Sequence, residues 1–176
     1  NNYVLCNASY SEHRLFDTVI DAVSIYNQKH EAQTISIVIV GDGNGRLDIV
    51  TSLDARASSK NVQLIQIPTR VSFAQLNYLF SSCNYFAFVG KNQTWGLAPF
   101  KALAYGKPTI VSDGCGASSA LHGVCNIVEA GNYMEISNCF ASPIVINMQS
   151  VEKLFDELSI ESYIQRVLGS LENLVE

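Results

Sequence analysis

Apolar residues in this chain fall into short continuous runs, separated by longer stretches with helical spacing. Four runs rich in β-branched and aromatic residues, Tyr3 to Cys6, Ile35 to Val40, Val62 to Ile67 and Tyr85 to Val89, have the length of strands. The second and fourth are almost unbroken, as expected of strands covered on both faces of a parallel sheet. Thr109 to Val111 is a fifth candidate, and Asn126 to Val128 and Ile144 to Ile146 are weaker ones. From Ser11 to Gln28, the residues Leu15, Phe16, Val19, Ile20, Val23 and Tyr26 recur at three- and four-residue steps. That spacing predicts a helix with one buried stripe and Ser11 as its cap. Further helices are predicted over Arg46 to Ser58, over Ser72 to Phe80 with Ser72 as cap, and over Leu97 to Tyr105 between Gly96 and Gly106. Beyond Ile146 the pattern is helical alone, Gln149 to Leu158 and Ile160 to Val175, with apolar positions at Val151, Leu154, Phe155, Tyr163, Val167 and Leu171.

Regular alternation of strand and helix predicts an α/β fold, a Rossmann-like parallel sheet with right-handed crossovers and helices on both faces. One domain over residues 1–176 is expected, with the C-terminal helices (about 149–176) packed on the sheet. In such sheets ligands bind outside the carboxyl ends of the strands, so function belongs in the loops that follow them.

Composition narrows the function classes. A net charge of −5, without any Lys/Arg cluster, argues against a nucleic-acid partner. No apolar run approaches the roughly 20 residues of a membrane-spanning helix. The chain begins at Asn1 without a leader pattern or an initiating Met, which reads as an excised fragment. Five widely spaced cysteines, Cys6, Cys83, Cys115, Cys125 and Cys139, form no C-x-x-C pair and read as reduced thiols of a cytosolic protein. No metal-ligand set is visible, and His13, His30 and His122 have no triad spacing. Gly41-Asp42-Gly43-Asn44-Gly45 lacks the ending of a P-loop and reads as a tight strand-to-helix turn.

The stretch most suited to chemistry runs from Gly90 to Pro108. It leaves a buried strand, crosses a polar loop and enters a helix through Gly96-Leu97-Ala98-Pro99. Free amides and the positive end of the helix dipole would there face the ligand edge of the sheet, a natural place for an anion.

The segment Thr94 to Ser112 resembles the donor-site signature of the group 1 family of retaining GT-B glycosyltransferases, E-x-F-G-L-x-x-x-E-A-x-A-x-G-x-P-V-I-x-S. Three other stretches fit the same family in order. Arg14 to Ala22 resembles K-G-x-x-x-L-I-x-A, Val38 to Gly43 resembles L-x-I-V-G-x-G, and Asn61 to Ile65 resembles N-V-x-F-L. The resemblance implies the C-terminal half of a GT-B fold, which holds a UDP- or GDP-linked sugar as donor substrate without any other cofactor or a metal. A separate N-terminal domain would hold the acceptor. Position by position, Arg14 would contact the donor phosphates, and the loop of Gln93, Thr94, Trp95, Gly96 and Leu97 would meet sugar and diphosphate. Pro68 would line the base and Lys101 would lie at the ribose. A cytoplasmic protein is implied, with peripheral association at the inner face of the membrane open to the full chain.

Two departures qualify that expectation. The family's glutamates fall on Gln93, which keeps an acceptor oxygen, and on Lys101, which can only donate. A second phosphate-binding basic residue would fall near Ser9 and is missing. The expected function is therefore donor binding in a retaining glycosyltransferase, with the fragment alone inactive. The rival is a non-catalytic glycosyltransferase-like interaction or scaffold domain. A sugar epimerase on the same fold would need an acid/base pair that the sequence does not offer.

Overall fold

Six parallel strands form one sheet in the order β3-β2-β1-β4-β5-β6, in a computed structural model that describes residues 2–162, 164 and 165. The strands are β1 (Tyr3–Asn7), β2 (Ser36–Val40), β3 (Leu64–Ile67), β4 (Tyr85–Phe88), β5 (Thr109–Ser112) and β6 (Asn126–Val128). The chain works outward from β1 to β3, then returns to the other side at β4. That reversal makes the crevice between β1 and β4 the switch point, where ligands of such sheets bind. Register is fixed by Asn7 opposite Val40 and by Leu5 opposite Phe86. The chain divides into two compact units, Asn1–Ile146 and Asn147–Glu176.

In the first unit, α1 (Phe16–Lys29) and α2 (Leu47–Ser59) cover one face of the sheet, and α5 (Tyr133–Ala141) runs along α1. The stripe read from the sequence is the buried one: Phe16, Val19, Ile20, Val23 and Tyr26 all point inward. Each such side chain contributes about 1.5–3 kcal/mol by leaving water. Phe140 of α5 meets the edges of Tyr26 and Tyr85, and the Tyr85 hydroxyl donates to the Phe140 carbonyl at 3.1 Å. The opposite face carries α3 (Phe73–Ser82) and α4 (Ala98–Ala104). Ser72 caps α3 as expected, and the structure makes this a reciprocal capping box with Gln75.

Two readings need correction, and one helix goes beyond them. Ser11 does not cap α1, because a 3-10 turn at Glu12–Arg14 intervenes and the helix starts at Phe16 with Leu15 in front of it. Ile144 to Ile146 is not a strand: the segment is irregular and Val145 is exposed. The helix α5 has no counterpart in the sequence reading, although Asn132 caps it by accepting from the Glu135 amide.

The second unit contains α6 (Met148–Glu157), capped by the Asn147 side chain, which accepts from the amides of Gln149 and Ser150. Tyr163, Val167 and Leu171 of the expected last helix lie outside the described residues.

Candidate functional site at the switch point

A cavity of about 190 Å³ opens at the carboxyl ends of β1 and β4, lined by Asn7, Ala8, Arg14, Phe88, Gln93, Thr94, Gly96, Leu97 and Ala98. Five of the eight residues singled out from the sequence, Arg14, Gln93, Thr94, Gly96 and Leu97, meet there. They arrive from two loops, Arg14 from the one after β1 and the other four from the one between β4 and α4.

Arg14 ends the 3-10 turn that follows β1. The turn is anchored by the Lys91 amide, which donates to the His13 carbonyl at 2.8 Å. The next residue, Leu15, has φ 52° and ψ 39°, a left-handed conformation that favours glycine, the residue standing there in the K-G pattern. The Arg14 guanidinium lies over the Phe88 ring, 5.6 Å from its centre, and its Nη1 donates to Gln93 Oε1. Its Nε is buried without a protein acceptor. No acidic residue lines the cavity, and Arg14 makes no ion pair among the described residues. Burial pulls the Arg14 pKa below its ordinary value, yet a guanidinium stays charged at neutral pH. The result is a half-buried cation whose charge nothing in the cavity offsets.

Gln93 is held by its backbone. Its amide donates to the Gly114 carbonyl at 3.0 Å and its carbonyl accepts from the Gly116 amide at 3.1 Å. Its side-chain amide crosses Gly90 so closely that a Cβ there would fall 1.5 Å from Nε2. Gly90 is in turn fixed by Ser112, whose hydroxyl accepts from its amide at 2.8 Å and donates to its carbonyl at 2.6 Å. Cys115 sits behind this lock, buried, with burial as the main cause of a raised thiol pKa, so it is no ready nucleophile.

Gly96 enters α4 at φ 74°, and a Cβ on it would lie 2.7 Å from the Phe88 ring. Both facts demand glycine. Among the described residues, no backbone carbonyl accepts from the amides of Gly96 and Leu97, and the Leu97 side chain is exposed. The mouth of the helix is thus open, and it shares its cavity with the guanidinium.

The other three residues lie elsewhere. Trp95 is stacked on Phe100, ring centres 5.6 Å apart, and remains partly exposed. Pro68 packs against Gly43 and lines a second depression with Asp42, Asn44, Thr69 and Arg70. Lys101 Nζ sits 4.7 Å above the Phe73 ring and 5.1 Å from that of Phe80, and so bridges α4 to α3. The sequence reading missed Asn7, Ala8, Phe88 and Ala98. The strand-end positions of Asn7 and Phe88 were the available signal, but which two strands flank the switch point is visible only once strand order is known. Among the described residues no group of His, Cys, Asp and Glu is placed to hold a metal ion, and no helix is long and apolar enough to cross a membrane.

Residues 1–140 match the family model described as "Glycosyl transferases group 1". No curated protein matches the chain. Among solved structures, the fold is similar to that of a UDP-forming trehalose-phosphate synthase from Burkholderia xenovorans, with TM-score 0.79 and 11% identity over 100% of this chain and 45% of that one. A similar synthase from Burkholderia vietnamiensis has TM-score 0.79 and 9% identity over 99% and 44%. An E. coli structure described as trehalose-6-phosphate bound with UDP-2-fluoro glucose has TM-score 0.77 and 12% identity over 97% and 44%. The chain thus spans less than half the length of these proteins.

Proposed function

This chain belongs to the group 1 glycosyl transferases, and on that premise we propose that it is the donor-binding domain of a retaining glycosyltransferase that uses a nucleoside-diphosphate sugar. The observation that carries the reading is the uncompensated Arg14 cation beside the open amides of Gly96 and Leu97, in one cavity at the switch point. A diphosphate placed there accepts hydrogen bonds from the guanidinium and the amides, each bond to a charged partner worth about 1.5–3 kcal/mol. Electrostatic neutralisation of the leaving diphosphate is then the chain's part in the chemistry, and it needs no protein nucleophile. Pro68, in the neighbouring depression, is the apolar wall against which the base rests. The acceptor would be held by a further, N-terminal domain, so this fragment binds donor without turning it over. Free thiols at all five cysteines fit a cytoplasmic setting.

A second reading, an interaction domain without catalysis, is favoured by Lys101. With its ammonium engaged by two aromatic rings and no acceptor atom, that side chain serves packing rather than a ribose. Calorimetric titration with UDP, GDP and their glucose conjugates separates the two. The donor reading predicts millimolar or tighter binding that Arg14→Ala weakens by about tenfold or more. Silence for every nucleotide rejects it in favour of the second.

A further inference from the structure

A further concavity, of about 280 Å³, lies between α1 and α2, behind the turn that carries Arg14. Its floor is apolar: Leu15, Phe16, Ile49 and Leu53 line it, and the last three are buried. Its rim carries the charged side chains of Glu12, Asp17 and Arg56, and their commitments differ. Arg56 is taken by Asp21, donating from Nε to Oδ1 at 3.1 Å and from Nη2 to Oδ2 at 2.5 Å, and Lys60 Nζ stands 3.8 Å from the same carboxylate. Glu12 and Asp17 make no ion pair among the described residues, and Asp17 adds only a weaker pull on Arg56 than Asp21 does. An apolar floor beside two unanswered carboxylates suits a cation on an aliphatic stem. The stem leaves water against the floor, and the head meets the acids. A neutral ligand would leave the acids unused, and a bare inorganic cation would leave the floor unused. The volume lies just below the roughly 300–1,000 Å³ of most small-molecule sites, room for a stem and its head but not for a peptide backbone as well.

Glu12 and Arg14 belong to one 3-10 turn, in which residues two apart point about 120° away from each other. Glu12 therefore lines this cavity while Arg14 lines the one at the switch point. The turn is a wall common to both, closed by the Leu15 amide, which donates to the Glu12 carbonyl at 3.2 Å. A cation held at Glu12 cancels a negative charge within about one Debye length of an anion at Arg14. Each bound ligand then favours the other, and linkage makes the gain reciprocal.

We propose that the cavity between α1 and α2 is an effector site for a small aliphatic cation, an alkylguanidinium or alkylammonium, and that its occupancy tightens anion binding at Arg14. The coupling rests on the donor-binding reading above; the cation site does not. The 176-residue chain is titrated in the calorimeter, at fixed ionic strength, with butylguanidinium, its neutral isostere butylurea and the stemless methylguanidinium. Butylguanidinium is expected to bind about tenfold more tightly than either. Pyrophosphate should bind about threefold more tightly at saturating butylguanidinium. The double variant Glu12→Gln with Asp17→Asn keeps the size of both side chains and should erase the preference over butylurea and the gain for pyrophosphate alike. Equal affinity for butylurea, a preference that the double variant keeps, or pyrophosphate affinity unmoved by butylguanidinium overturns the proposal and leaves the donor reading standing. An acetylated Ala-Arg-Ala amide that binds more tightly than butylguanidinium also overturns it, by making the cavity a socket for the side chain of a partner protein. If the wild type binds butylguanidinium as expected but no pyrophosphate, the donor reading fails and the coupling falls with it.

Discussion

Gln93 and Lys101 stand where the donor-site pattern has its two glutamates, and the structure treats them in opposite ways. Gln93 lost a charge but kept an acceptor oxygen, and it remains in the switch-point cavity holding Arg14. Lys101 reversed the charge and kept no acceptor, and it has left the ligand edge for the rings of Phe73 and Phe80. In this chain the position that keeps an acceptor stays at the cavity, and the one that has none packs on aromatic rings. Lys101 thereby forms part of the packing between α3 and α4.

Substitutions can break this contrast. The largest effect is expected from Gly96→Ala, which combines a left-handed φ with a Cβ driven against the Phe88 ring beneath Arg14. Strain and overpacking together should destabilise the chain by about 2–4 kcal/mol, read from urea unfolding midpoints. Next comes Gln93→Ala, which frees Arg14 and leaves its ordering to the bound anion. Pyrophosphate affinity should fall by about fivefold in calorimetry, near 1 kcal/mol, and unchanged affinity would show that Gln93 plays no positioning role. Phe73→Ala is expected to lower stability by about 0.5–1 kcal/mol through the lost ring beneath Lys101, with pyrophosphate binding untouched. A loss of binding there would merge the two regions that the structure separates. The smallest effect is a gain: Leu15→Gly relieves a left-handed residue against the extra chain entropy of glycine, a net of about 0.5 kcal/mol in thermal unfolding.

Much of the fold was legible because its strands are buried on both faces and its longest helix has one clean stripe. Ile37, Ile39, Phe86 and Val19 could hardly sit elsewhere, and each is fully buried. Ser72 could be read as the cap of α3, and the structure adds the reciprocal bond from Gln75. Other features depend on tertiary structure. The apolar triplet Ile144 to Ile146 has strand composition but gained no partner strand, and β-propensity is mostly a preference for such a partner. Ser11 was displaced as a cap by a turn whose anchor, the Lys91 amide, is distant in sequence. In the candidate site, Arg14 and Gln93 could be named from the pattern, but their direct pairing could not, because it depends on β1 and β4 being neighbours. Lys101 was readable as a departure, while its destination was not, since the α3–α4 contact brings its rings from elsewhere in the chain.

On the donor-binding proposal, a guanidinium and the free amides at the start of α4 together receive a diphosphate. Its most direct test is a two-dimensional ¹H–¹⁵N NMR titration of the chain with inorganic pyrophosphate, following the Gly96 and Leu97 amides and the Arg14 side-chain Nε–H. These three signals are expected to move together along one saturating curve, and Arg14→Ala is expected to abolish the response of the two amides. Amide shifts that persist without Arg14, or that scatter over the surface while Gly96 and Leu97 stay still, would contradict it.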